Sequence, residues 1–190
     1  MQISLPLAIQ LLSTGLFTAF GLYTLIYLIV SFFRKSPLID RIDYEANRFI
    51  SIVGAVYIFI WLISLFNELN TIESEDKAFL LNRMFGRYWI GFWTQPLLYM
   101  AITQLLRIQK LRTMKIIRFI FSLLLMVSLE RIVIMSISLE PNYHFSSWIM
   151  PNTLLSTNYW ILNCGIKLLI FLSFVGMYHL AKNKFKTMIS

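Results

Sequence analysis

The chain has 190 residues, 58% of them hydrophobic and only 14% charged, with a mean hydropathy of +0.69. Soluble domains carry about 25% charged residues, so composition points to a single integral membrane domain over residues 1–190 and excludes a separate soluble domain. The formal charge of +8 would suggest nucleic acid in a soluble protein, but the basic residues gather at the ends of apolar runs, as in helices oriented by the positive-inside rule, and no nucleic-acid partner is expected.

No charged residue occurs from Met1 to Phe33, and Arg34-Lys35 follows the apolar run. A cleavable signal peptide would carry its positive charge first, so residues 7–33 read as a retained first span that starts outside. Gly15, Thr18, Ala19 and Gly21 give it a small-residue face for a neighbouring helix. The segment 34–48 follows, with Arg34, Lys35, Arg41 and Arg48 against Asp40, Asp43 and Glu45, and Pro37 as a breaker. It is predicted as a cytoplasmic loop.

The second span is predicted over 49–66, with Ser51, Gly54 and Ala55 as its small residues. The acid-rich segment 67–87 falls outside by alternation, and its Glu73-Ser74-Glu75-Asp76 stretch reads as a solvated loop tip. A third span over 88–106 opens on Tyr88, Trp89, Phe92 and Trp93, an interfacial belt. Gln95 beside Pro96 suggests a kinked cavity wall.

Arg107, Lys110, Arg112, Lys115 and Arg118 then form the most basic stretch, without an acid, and mark the cytoplasmic side. The fourth span is predicted over 119–139, with Glu130 and Arg131 near its middle. Residues 140–158 contain no Lys or Arg and are placed outside. The fifth span, 159–181, carries Asn163, Cys164 and Lys167, and Lys182, Lys184 and Lys186 follow it inside. Twelve of the 17 basic residues fall in the segments placed inside. The predicted fold is therefore an all-α, multi-pass bundle of five transmembrane helices in the cell membrane, N-terminus out and C-terminus in.

Counting from the outer helix ends puts Gln95, Arg131, Lys167 and Glu130 at depths of about 12–15 Å, at one level on three helices. Neighbours on a helix point about 100° apart, so Glu130 and Arg131 do not pair squarely, and a Glu130–Lys167 bridge is expected. Two bases against one acid leave Arg131 to receive an anion or a partner's carboxylate through its planar fork. Glu130, Arg131, Lys167, Gln95 and Asn163 thus form the predicted binding set of an outward-opening cavity for a small anionic solute, an ion or a lipid head group. The alternative is a non-catalytic subunit whose intramembrane charges pair with a partner helix, and a third reading is a membrane-embedded lipid-modifying enzyme.

No catalytic residue, metal or cofactor is expected. The lone Cys164 has no second cysteine, His144 and His179 fall on opposite sides and so do not suit a bis-His haem, and no phosphate loop or metal-spaced ligand set occurs. The expected partners are the lipid bilayer and a membrane protein or a second copy of the chain.

Overall fold

The structure, a computed structural model, describes residues 5–34, 36–71, 74–86, 89–127 and 157–189. The described residues are all-α. The first helix, α1, runs as Leu5–Gln10, widens to a π segment over Leu11–Phe17, and returns to α geometry over Thr18–Phe33. Then come α2 (Pro37–Thr71), α3 (Ser74–Phe85), α4 (Trp89–Leu105), α5 (Gln109–Thr113), α6 (Lys115–Met126) and α7 (Thr157–Ile189). Among the described residues, three stretches are long and apolar enough to cross a membrane: Leu7–Phe33, Pro37–Thr71 and Leu162–Lys184.

Two segments predicted as loops are helical instead. Helix α2 begins at Pro37 rather than at Phe49, and at 35 residues it is about 52 Å long, well beyond a hydrocarbon core of about 30 Å. Proline suits the first helical position, where its missing N–H costs nothing. From there Ile39, Asp43, Ala46, Ile50, Val53 and Tyr57 repeat at three- and four-residue spacing on one face, so packing of that stripe extends the helix past the end of the apolar run. In the predicted outer loop, Ser74–Phe85 forms α3 because Leu80 and Met84, one turn apart, bury against Leu65, Trp61 and Trp93. Helix α6 starts at Lys115 and closes at Met126, where β-branched Val127 takes an extended backbone (φ −91°, ψ 131°). The remainder of the predicted 119–139 span, with Glu130 and Arg131, lies outside the described residues.

The core is aromatic and sits where α1, α2, α4, α6 and α7 meet. Phe17, Tyr57 and Tyr99 form a buried triangle with ring centroids 5.2, 4.8 and 5.8 Å apart, in tilted and edge-on geometry. Phe171 of α7 packs on Phe20, Tyr23 and Phe49. Two of the small residues have the packing role expected of them. A Cβ on Gly21 would lie 2.9 Å from the Ser122 carbonyl oxygen, so α6 lies directly against α1 there. A Cβ on Gly54 would overlap Thr103, whose own Cβ would be 2.7 Å away, so α2 and α4 approach equally closely. Gly15, by contrast, has nothing among the described residues within 4 Å of its notional Cβ.

This contrast sets a test. Gly54→Ala should destabilise the detergent-solubilised protein by roughly 1–3 kcal/mol, the usual cost of overpacking, while Gly15→Ala leaves its thermal unfolding nearly unchanged. Equal effects of the two substitutions would contradict the α2–α4 contact.

Candidate functional site

The described charges concentrate at one end of the bundle, where α1 and α4 finish, α2 begins and α7 ends. At its centre is an ion pair. Asp43 occupies the buried stripe of α2 and is 4% exposed; Arg118, one turn into α6, is 2% exposed. The guanidinium donates from Nη1 to Asp43 Oδ2 at 2.9 Å and from Nη2 to Oδ1 at 2.6 Å, the two-pronged match that an arginine fork makes with a carboxylate. Its flat face lies 4.4 Å from the centre of the Tyr27 ring, and the Tyr27 hydroxyl donates to Asp40 Oδ1 at 3.3 Å. Arg118 Nε is buried without a hydrogen-bond partner among the described residues.

Two residues further along α2, Glu45 is also buried, at 6% exposure. Its Oε1 accepts from Lys182 Nζ at 2.5 Å and faces His179 Nδ1 at 3.7 Å, while Oε2 has no hydrogen-bond partner among the described residues. His179 Nε2 lies 3.0 Å from the Asn183 amide nitrogen and 3.5 Å from Arg41 Nη2, both donors. Such an arrangement assigns the ring proton of a neutral imidazole to Nδ1, on the side of Glu45. Asn47 donates to the Asp43 carbonyl at 2.7 Å, tightening the same turn of α2. Around the Tyr44 ring stand three cations from three helices: Arg112 at 4.9 Å, and Arg48 and Lys182 each at 5.7 Å.

Two recesses open beside this charged layer. One, of about 190 Å³, is lined by Tyr27, Ser31, Asp40, Arg112, Lys115 and Arg118. The other, of about 270 Å³, lies between α2, α4 and α7 and includes Arg48, Ser51, Gln104 and Arg107.

The described members of the predicted binding set, Gln95, Asn163 and Lys167, lie elsewhere. Lys167 is half-buried on α7, and its Nζ donates to the Thr14 carbonyl at 2.9 Å rather than to Gln95 or Asn163. Thr14 belongs to the π segment of α1, a geometry that shifts helical hydrogen bonding by one residue and recurs at functional sites. Gln95 is half-buried on α4 and Asn163 is exposed on α7. Glu130, Arg131 and the expected Glu130–Lys167 bridge lie outside the described residues, as does His144.

Sequence reasoning missed Asp43, Glu45, Arg118, His179 and Lys182 as interacting groups. It assigned Asp43, Glu45 and Arg118 to hydrated loops, whereas all three are buried. Two signals were available. Three acids in a segment placed inside run against the basic bias of its surroundings, and Asp43 falls in register with the apolar stripe of α2.

The Asp43–Arg118 pair predicts a non-additive cycle. Asp43→Leu or Arg118→Leu alone should each cost about 3–5 kcal/mol of unfolding stability by stranding the other charge, and the double substitution should cost clearly less. Additive losses in denaturant unfolding would show that the two groups do not depend on each other. In comparisons with known proteins, the chain matches no family model, no curated protein and no solved structure, so its function is argued from this geometry.

Proposed function

We propose that the chain is a multi-pass protein of the cell membrane, with five spans, N-terminus out and C-terminus in, that binds a small anionic group and either holds it or passes it on. In this reading the charged end of the bundle faces the cytoplasm, in line with the bias of Lys and Arg toward that end. The observation that carries the anion reading is the charge balance of the smaller recess. Asp43 neutralises Arg118, which leaves Arg112 and Lys115 against Asp40, and among the described residues neither of these cations has a carboxylate partner. An excess of one positive charge in a recess of about 190 Å³ suits a phosphate-sized anion bearing one or two charges.

The outward-opening set of Glu130, Arg131, Lys167, Gln95 and Asn163 belongs to the same proposal, as the opposite end of the path for an anion that is passed. Its support is that Lys167 is met by a backbone carbonyl, which satisfies a donor without cancelling a charge.

A second reading, a subunit that packs against a partner helix or another copy, draws on α7. Among the described residues its crossing stretch leaves Leu162, Leu169 and Leu180 63–69% exposed, and a Cβ on Gly165 or Gly176 would meet nothing within 4 Å. Small residues on an uncovered face allow close helix approach in lipid.

The topology predicts that, in a Cys164→Ser background, Glu75→Cys is labelled by an impermeant thiol reagent only from outside and Lys110→Cys only from inside; exchanged sides would overturn it. The anion reading predicts that inorganic phosphate raises the unfolding temperature above that in chloride of equal ionic strength. Arg112→Gln/Lys115→Gln should abolish the rise. A rise that survives this change but is lost in Arg131→Gln would move the anion to the outer set, and no rise in any form would favour the subunit reading.

A further inference from the structure

The larger recess has a character of its own. Along α2, Arg48, Ile52, Ala55 and Phe59 stand at intervals of four, three and four residues, and therefore on one helix face. Arg48 and Arg107 mark the charged end of this groove, and the rest of the α2 face is apolar. From Arg48 to Phe59 the helix rises about 16 Å, close to the depth of one leaflet of a hydrocarbon core about 30 Å thick. Ile52, Val56 and Phe59 are 48%, 44% and 67% exposed, so this wall is uncovered among the described residues.

The polar end is fixed in place. Gln104 is locked to α2 through its Nε2, which donates to the Ser51 carbonyl at 2.8 Å, and its Oε1 accepts from the buried Ser51 hydroxyl at 3.3 Å. The same Oε1 accepts from Arg107 Nη1 at 3.3 Å and so orients that guanidinium. Arg48 is steered by another neutral group, donating to the Tyr44 hydroxyl at 3.4 Å while lying over that ring. Neither arginine meets a carboxylate among the described residues, and no acid lines the groove.

We propose that this groove is a binding site for an anionic phospholipid of the leaflet at the basic end, with the phosphate held by Arg48 and Arg107 and one acyl chain lying along Ile52, Val56 and Phe59. Two oriented guanidiniums favour a phosphate, and the groove's described lining has no carboxylate to attract the ammonium group of a zwitterionic lipid. The apolar wall, at the depth of an acyl chain, selects a lipid over free phosphate. The inference rests on the membrane-embedded reading and is independent of the Arg112–Lys115 recess.

The test is native mass spectrometry of the full chain in a neutral detergent, titrated with dioleoyl phosphatidylglycerol, dioleoyl phosphatidylcholine or glycerol phosphate. Phosphatidylglycerol should bind roughly tenfold more tightly than phosphatidylcholine, and Arg48→Gln/Arg107→Gln should remove that preference. Ala55→Phe, which fills the apolar wall and keeps both charges, should weaken phosphatidylglycerol binding, and Arg112→Gln/Lys115→Gln should leave it unchanged. Equal binding of the two lipids by the unaltered protein would overturn the site. So would a preference reduced equally by both arginine-containing pairs of substitutions, which would mean diffuse surface charge. Glycerol phosphate binding as tightly as phosphatidylglycerol, or Ala55→Phe without effect, would rule out the acyl-chain wall.

Discussion

The burial of one carboxylate and one guanidinium sets the terms for the basic end of this bundle. Taking each charge out of water costs several kcal/mol, and only a well-matched geometry with further contacts recovers that cost. Asp43 can face Arg118 only if the first turns of α2 are helical, since that places Asp43 on the same stripe as Ala46 and Ile50. Arg118 reaches it only because α6 lies against α1, where Gly21 admits Ser122 and Met126. Tyr27 of α1 then covers the guanidinium face and donates a hydrogen bond from its hydroxyl to Asp40. Four helices are thereby tied together: α1, α2 and α6 by this pair, and α7 through the bond from Lys182 to Glu45 two residues further along α2.

What was legible in the sequence followed the scale on which each feature is encoded. Long apolar runs announce themselves in any window, so the stretches of α1, α2 and α7 long and apolar enough to cross a membrane were apparent, as were the close-packing glycines 21 and 54. Residues 37–48 and 74–85 were misread because their helices mix charges with apolar residues: in 74–85 Asp76, Lys77 and Arg83 are exposed, and in 37–48 exposed Asp40, Arg41 and Arg48 flank the buried Asp43 and Glu45. Asp43 and Glu45 look like ordinary loop acids until their partners are known, and those partners lie 75 and 137 residues away. No local pattern joins Asp43 to Arg118. Beyond the excess of acids in this segment, the hint is a polar residue in phase with Ile39, Ala46, Ile50 and Val53, and it is visible only once Pro37 is taken as a helix start rather than a break.

The pair also divides the basic residues into two kinds. Arg118 and Lys182 have carboxylates and act as ties, whereas Arg48, Arg107, Arg112 and Lys115 are positioned by neutral neighbours, namely aromatic rings, a tyrosine hydroxyl and a glutamine carbonyl. Such contacts orient a cation without cancelling its charge. A scaffold with its internal charges matched can display the others outward at low cost, and both recesses draw their positive character from that surplus.

Hydrogen–deuterium exchange of the protein in a lipid bilayer tests most directly whether the start of α2 is a packed helix that carries buried charges. Amides of residues 41–48 should be protected for as long as those of the early apolar stretch 49–58, as parts of one continuous helix held by Arg118 and Lys182. Exchange of 41–48 within seconds, at the rate of a hydrated loop, while 49–58 stays protected, would contradict it.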